Sequence, residues 1–264
     1  MASLDTGSPA ILRRDGHVAV MVMNRPHVRN AVNTAMSIAM QEVIDEFVAD
    51  PELRVGILTG AGQAFCAGAD LKELAAGRSL QGPGQKERGF GGIMRRLIDK
   101  PLIAAVNGYA LGGGTEFVLA CDLAVMSESA TLGLPEVRHG IIAAGGGLLR
   151  LPRRIPLSIA LEATLTGSPI TAETALRWGL VNRVVPPEQV LDEALGLAKL
   201  IGRNAPLAVQ ASKRVIYQAA ALSDWEPEAW AVSDAEVKLI MKSDDAREGP
   251  RAFAERRKPE WQGR

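Results

Sequence analysis

Apolar residues follow two rhythms along this chain. Short runs rich in Val, Ile, Ala and Met occupy residues 17–23, 55–59, 102–106 and 123–126, and turn-forming residues bound them, so they read as buried strands. Between the first two, Met36, Met40, Val43 and Phe47 recur at helical spacing, which predicts a helix over 34–49 with Asn33 as its cap. Further helices are expected from Asp70 through Leu74, over 85–98, and from Thr115 onward. Residues 77–84 combine Gly, Pro, Ser and Gln with little apolar content and are expected to form a mobile loop.

From about Pro156 the rhythm becomes mostly helical, over 157–165, 171–178, 189–201, 207–221, 226–241 and 244–257, with one short strand at 183–185. Strands and helices alternate first and helices dominate later. That pattern predicts an α/β core over residues 1–195 and a helical C-terminal region over 196–264.

Composition narrows the function classes. Thirty Lys+Arg balance thirty Asp+Glu, whereas phosphate-driven nucleic-acid binders carry a basic excess. Arg95-Arg96 and Lys213-Arg214 are the candidate basic positions, and a solvated helix face explains them more simply. No apolar run approaches the ~20 residues that span a bilayer, and residues 1–9 lack the apolar core of a signal peptide. Cys66 and Cys121 lack metal-ligand spacing and read as buried free thiols in a reducing compartment, so a cytoplasmic location is expected.

Three segments carry candidate chemistry. Ala64-Phe-Cys-Ala-Gly-Ala-Asp-Leu-Lys72 is a strand-to-helix loop of small residues that would let a ligand approach the backbone, though a tight turn explains it as well. Asn107-Gly-Tyr-Ala-Leu-Gly-Gly-Gly-Thr-Glu116 places three glycines at the positive end of a helix dipole. Bare amides there can hold a developing oxyanion; a glycine-rich turn with a carboxylate at a helix start is the bland reading. In Leu132-Gly-Leu-Pro-Glu136 a carboxylate stands among apolar residues. Burial would raise its pKa and make it a proton donor, unless Arg138 pairs with it. No P-loop, Gly-x-Ser-x-Gly elbow or zinc signature is present, and His139 reads as a surface or supporting group.

Taken in order, these segments resemble the crotonase (enoyl-CoA hydratase/isomerase) superfamily. The likeness extends over Asn24-Arg-Pro26 with Asn30-Ala31, Phe65 to Asp70, Lys100 to Glu116, Gly133-Leu-Pro-Glu136, Ala175 to Asn182 and Glu248 to Arg257. It implies a spiral of ββα units with a C-terminal helical trimerisation region, trimers commonly pairing into hexamers. It implies Glu116 and Glu136 as the catalytic acids and the amides of Ala67 and Gly113 as an oxyanion hole. Ala67, Gly68, Ala69, Asp70, Leu71 and Gly113 would border the CoA thioester. CoA enters as part of the substrate, and no metal or other cofactor is implied. By the same analogy Glu116 deprotonates water while Glu136 supplies the α-proton of a 2-enoyl-CoA.

Retention of both acids favours hydratase chemistry over the isomerase branch, which relies on the carboxylate matching Glu136 alone. One stretch departs from the family. Many hydratases carry Pro-Gly-x-Gly-Gly-Thr/Ser-Gln where this chain has Ile142-Ala-Ala-Gly-Gly-Gly-Leu-Leu-Arg-Leu-Pro152, which leaves acyl preference open. That run, the Ala-Leu-Arg-Trp-Gly segment and the Pro259–Arg264 tail also resemble the carnitinyl-CoA dehydratase branch, the leading alternative.

Overall fold

The computed structural model describes residues 7–264. A six-stranded sheet forms the centre, built from β1 (Ala10–Asp15), β2 (Val18–Met23), β3 (Val55–Gly60), β4 (Leu102–Val106), β6 (Leu123–Ser127) and β9 (Arg183–Val185) in the spatial order β1-β2-β3-β4-β6-β9. β1 runs antiparallel to β2, and every other pair is parallel. A smaller sheet, β5-β7-β8, comprises β5 (Ala110–Leu111), β7 (Thr131–Gly133) and β8 (Ile170–Thr171).

The chain winds as a spiral. Each turn supplies a strand to the large sheet, then a short extended piece to the second layer, then a helix. After β2 the piece is Val32 and the helix is α1 (Thr34–Ala49); after β3 it is Cys66 to Ala69 and α2 (Leu71–Ala75). β4 is followed by β5 and α3 (Gly113–Ala120), and β6 by β7 and a 3-10 turn over Pro135–His139. Single bridges Val32–Ala69 and Cys66–Ala110 continue the second layer across successive turns.

β2, β3 and β4 are buried on both faces, as parallel sheets require. Alternation assigns Met21, Leu58 and Ala104 to the core under α1 and α3. Val20, Ile57, Ile103 and Ala105 face the opposite core, where α7 (Val190–Gly202) packs Ala194 and Ala198 against them. The division expected between residues 195 and 196 therefore falls inside a helix that belongs to the sheet. Beyond it come α8 (Pro206–Ala219), α9 (Pro227–Ile240) and α10 (Asp244–Ala254). Asp245, itself buried, accepts the N–H groups of Gln262 and Gly263 and fastens the tail.

Other sequence expectations also change. β1 escaped prediction because it is an edge strand with Arg13, Arg14 and Asp15 turned outward. The helix expected over 85–98 is only a 3-10 turn at Phe90–Gly92 among irregular turns. Gly89, Gly91 and Gly92 take φ of 76°, 62° and 75°, a left-handed backbone that no right-handed helix contains. Residues 77–84 form no helix or strand, and buried Gln85 ties their end to α1 through the Ser37 carbonyl at 2.9 Å. Between β7 and β8 lie two more helices, α4 (Gly147–Arg154) and α5 (Leu157–Thr166), while α6 (Ala172–Arg177) follows β8.

Candidate active site

Short-range chemistry places Glu116. Gly112 takes φ of 54°, and the chain then enters α3 at Gly113. Each glycine of the triplet answers to a different neighbour: a Cβ on Gly112 would lie 3.0 Å from Glu136 Oε1, one on Gly113 2.6 Å from the Phe90 ring, and one on Gly114 2.1 Å from the Cys66 carbonyl. Glu116, in the first turn, is 4% exposed. Its Oε1 accepts the Gly147 N–H at 2.8 Å, so the carboxylate sits at the N-terminus of α4, where the helix dipole favours negative charge. Burial still pushes its pKa up, against the lowering pull of the Gly147 and Gly145 amides and the Arg150 guanidinium.

Tertiary pairing brings Glu136 alongside. β5 and β7 align Leu111 with Gly133. Gly112 N–H donates to the Gly133 carbonyl at 2.8 Å, and Gly133 N–H donates to the Thr115 hydroxyl at 2.9 Å. Three residues beyond Gly133, Glu136 turns inward from the 3-10 turn. Its Oε2 is buried and has no hydrogen-bond partner among the described residues. Arg138 does not pair with it; the guanidinium donates instead to the Thr166 carbonyl at 3.0 Å. Desolvation is the chief cause that raises the Glu136 pKa, and the negative charge of Glu116 adds to it. His139 is exposed on the same turn.

The loop after β3 packs directly on this region. A Cβ on Gly68, whose φ is 86°, would lie 2.5 Å from the Leu111 carbonyl and 3.0 Å from the Gly113 nitrogen. The donor expected at Ala67 requires correction: its N–H is donated to the Arg29 carbonyl at 3.0 Å and has no hydrogen left for a ligand. The neighbouring bridge to Val32 uses the Gly68 carbonyl and the Asp70 N–H. Strand alternation then turns the Ala69 amide away from Val32. Among the described residues neither Ala69 N–H nor Gly113 N–H is hydrogen-bonded. Asp70 caps α2, accepting from Lys72 N–H at 3.3 Å, and Leu71 is exposed beside it.

An apolar cavity of about 330 Å³ opens next to Glu136, between the 3-10 turn, α4 and α5. The arrangement thus combines unbonded amides on two touching loops, a buried carboxylate whose charge raises the pKa of a half-buried one, and an apolar chamber. The sequence matches the enoyl-CoA hydratase/isomerase family model over residues 13–264. The chain belongs to the enoyl-CoA hydratase/isomerase family.

Relatives within the family agree over the full length. An enoyl-CoA hydratase of Mycobacterium tuberculosis is 43% identical, with all of both chains covered. A carnitinyl-CoA dehydratase of Salmonella arizonae is 44% identical over 96% of this chain and 97% of its own. The crystal structure of an enoyl-CoA hydratase from Mycobacterium tuberculosis superposes with a TM-score of 0.91 at 44% identity, covering 97% of this chain and 100% of the other.

Sequence spacing does not single out Gly145, Gly147 and Arg150, yet all three favour the charged form of Glu116. A Cβ on Gly145 would lie 2.4 Å from Glu116 Oε2. Arg150 anchors this loop by donating to the Gly145 carbonyl at 3.3 Å and the Met94 carbonyl at 2.6 Å. A signal existed, since the run of three glycines before a helix repeats the signature of 112–114. Three of the four candidate basic positions are engaged elsewhere: Lys213 pairs with Asp122 at 2.6 Å, Arg214 with Glu236 at 2.6 Å and Arg96 with Asp45 at 2.5 Å. Among the described residues no cluster of three or more His, Cys, Asp or Glu is placed to hold a metal, and no helix is long and apolar enough to cross a membrane.

Proposed function

We propose that this family member is an enoyl-CoA hydratase, a hydro-lyase that adds water reversibly to 2-enoyl-CoA thioesters. The observation that carries this reading is the pair of carboxylates, Glu116 buried and Glu136 half-buried, each with a raised pKa and each shifted by desolvation more than by any other cause. The Ala69 and Gly113 amides polarise the thioester carbonyl, so enolate-like charge develops on its oxygen as water adds at the β-carbon. Glu116, held by Gly147 N–H, orients and deprotonates that water. Glu136, whose raised pKa favours the protonated form, supplies the α-proton, and the roles reverse in dehydration. Residues 67–71 border the CoA portion. The chemistry needs no metal or redox cofactor, because the carbonyl is polarised by amides and the protons travel between carboxyl groups and water.

Oligomer formation belongs to the same proposal. Ile216 of α8, Trp230, Val237 and Leu239 of α9, and Phe253 of α10 are large apolar residues left exposed on the single chain, and exposed apolar surface of this kind marks an association face. We assign it to a homotrimer, with or without pairing into hexamers, and place the enzyme in the cytoplasm, where the buried thiols of Cys66 and Cys121 stay reduced.

The test follows the conjugated enoyl-thioester absorbance after adding protein to crotonyl-CoA, beside Glu116→Gln and Glu136→Gln. Loss of roughly 10²–10⁴-fold in kcat for each variant is expected. Undiminished turnover in either variant would remove that carboxylate from the mechanism. Light scattering of the purified protein reads the oligomer, and a monomer at micromolar concentration would overturn the trimer.

A further inference from the structure

The chamber beside Glu136 has an unusually uniform chemistry. Its wall draws Leu134 from just before the 3-10 turn and Val137 from within it, Leu148 and Leu151 from α4, and Leu157 and Leu161 from α5. Apart from Glu136 the polar side chain in the wall is Thr164, and its hydroxyl is used within its own helix, donating to the Ala160 carbonyl. None of the lining residues is aromatic. A quaternary ammonium is usually held by aromatic faces or by carboxylates, and here the one carboxylate is the group already assigned to proton transfer. The floor near Glu136 is closed by buried Leu134 and Leu151, whereas Leu157 and Leu161, one helical turn apart, are 63% and 45% exposed at the outer wall. A chain entering past Glu136 therefore meets aliphatic surface along its path.

We propose that this chamber takes the acyl tail, selecting uncharged aliphatic chains longer than a crotonyl group over short or trimethylammonium-bearing ones, with Leu148 and Leu161 as the specificity-determining residues. The proposal rests on the hydratase reading above for the direction in which the tail leaves the reacting carbons. Each methylene that moves from water into an apolar wall tightens binding by roughly fourfold. A pocket lacking polar partners strands the hydration shell of a cation. Leu148 and Leu161 line the chamber from two different helices, α4 and α5, so a polar group at either position disturbs the tail.

Steady-state kcat/KM is measured for but-2-enoyl-, oct-2-enoyl-, dec-2-enoyl- and crotonobetainyl-CoA, in wild type and in Leu161→Asn and Leu148→Asn. Calorimetric affinities are measured in parallel for butanoyl- and octanoyl-CoA, which cannot react. A rise of at least about tenfold from but-2-enoyl to oct-2-enoyl, crotonobetainyl-CoA poorer than both, and a several-fold fall of the octenoyl-to-butenoyl ratio in each variant support the proposal. The ratio within one variant cancels any general loss of folded enzyme. A flat or falling series, or fastest turnover of crotonobetainyl-CoA, overturns the proposal while leaving hydration itself intact. Absence of any turnover, with octanoyl-CoA bound at least about tenfold tighter than butanoyl-CoA, overturns the hydratase reading and keeps the aliphatic chamber. Absence of turnover with equal affinities removes both.

Discussion

Thr115 accepts the Gly133 N–H at 2.9 Å, and its hydroxyl also reaches the Ala110 carbonyl at 2.7 Å. This one buried side chain joins the segment that carries Glu116 to the segment that carries Glu136. Glu116 is its next neighbour in sequence, and Glu136 follows Gly133 by three residues. The two acids are twenty residues apart along the chain and reach one site because Thr115 and the β5–β7 pairing close that interval.

Replacing Thr115 by Val keeps the shape and removes both hydrogen bonds. The Gly133 N–H is then buried without an acceptor, at a cost of about 1–3 kcal/mol. Thermal unfolding should show a lower Tm for Thr115→Val and near-recovery for Thr115→Ser. A Thr115→Val protein as stable as wild type would show that the hydroxyl does not hold these segments together.

Gly145→Ala tests the cradle of Glu116. Its Cβ would meet Glu116 Oε2 at 2.4 Å, and the carboxylate, being the end of a flexible side chain, would be the group to move. A misplaced catalytic group costs on the order of 10²-fold. We therefore expect kcat to fall by about that factor, with KM and Tm close to wild type. Unchanged kcat would mean that the position of Glu116 does not limit the rate.

The raised pKa values also set a pH dependence of stability. Each acid holds its proton more tightly when folded, so its contribution is fully present below the unfolded carboxylate value and is lost as pH rises through the higher folded value. The window opens at the ordinary value of 4.5 and extends upward from there. A Glu116→Gln/Glu136→Gln double variant lacks this loss. Its Tm relative to wild type should climb from mildly acidic to neutral pH, and a difference independent of pH would contradict buried, destabilised carboxylates.

Asn30 is the structural keystone of the loop between β3 and α2. It is fully buried, with a left-handed φ of 57°. Its amide donates to the Ala61, Ala64 and Phe65 carbonyls at 2.9, 2.9 and 3.2 Å, while its Oδ1 accepts the Arg25 N–H at 2.9 Å. Asn30→Ala strands several buried groups and should cost about 3 kcal/mol or more. Chemical denaturation measures it, and a loss under 1 kcal/mol, about the ordinary cost of one hydrogen bond, would deny the role.

Local sequence carried much of this architecture. Short runs rich in Val, Ile, Ala and Met marked β2, β3 and β4, because strands buried on both faces have no room for polar residues. The Met36–Met40–Val43–Phe47 spacing and the Asn33 cap marked α1, whose first turn closes by Asn33 Oδ1 accepting Met36 N–H at 3.0 Å. The glycine triplet and the apolar setting of Glu136 likewise pointed to chemistry before any contact was known. These are properties of one segment and its own backbone, so composition and spacing suffice to express them.

Partnership between distant segments was not legible in that way. Whether Glu136 met Arg138 or stood unpaired depended on Thr166, which draws the guanidinium aside. Which amide of the Ala67–Asp70 loop stayed unbonded depended on Arg29 and Val32, residues more than thirty positions away. The grip of Gly145 and Gly147 on Glu116, and the all-aliphatic chamber between α4 and α5, likewise arise only when separate turns of the spiral stack. Hydrogen-bond occupancy and burial are properties of pairs of surfaces, and a linear chain records each surface without recording which one it will face.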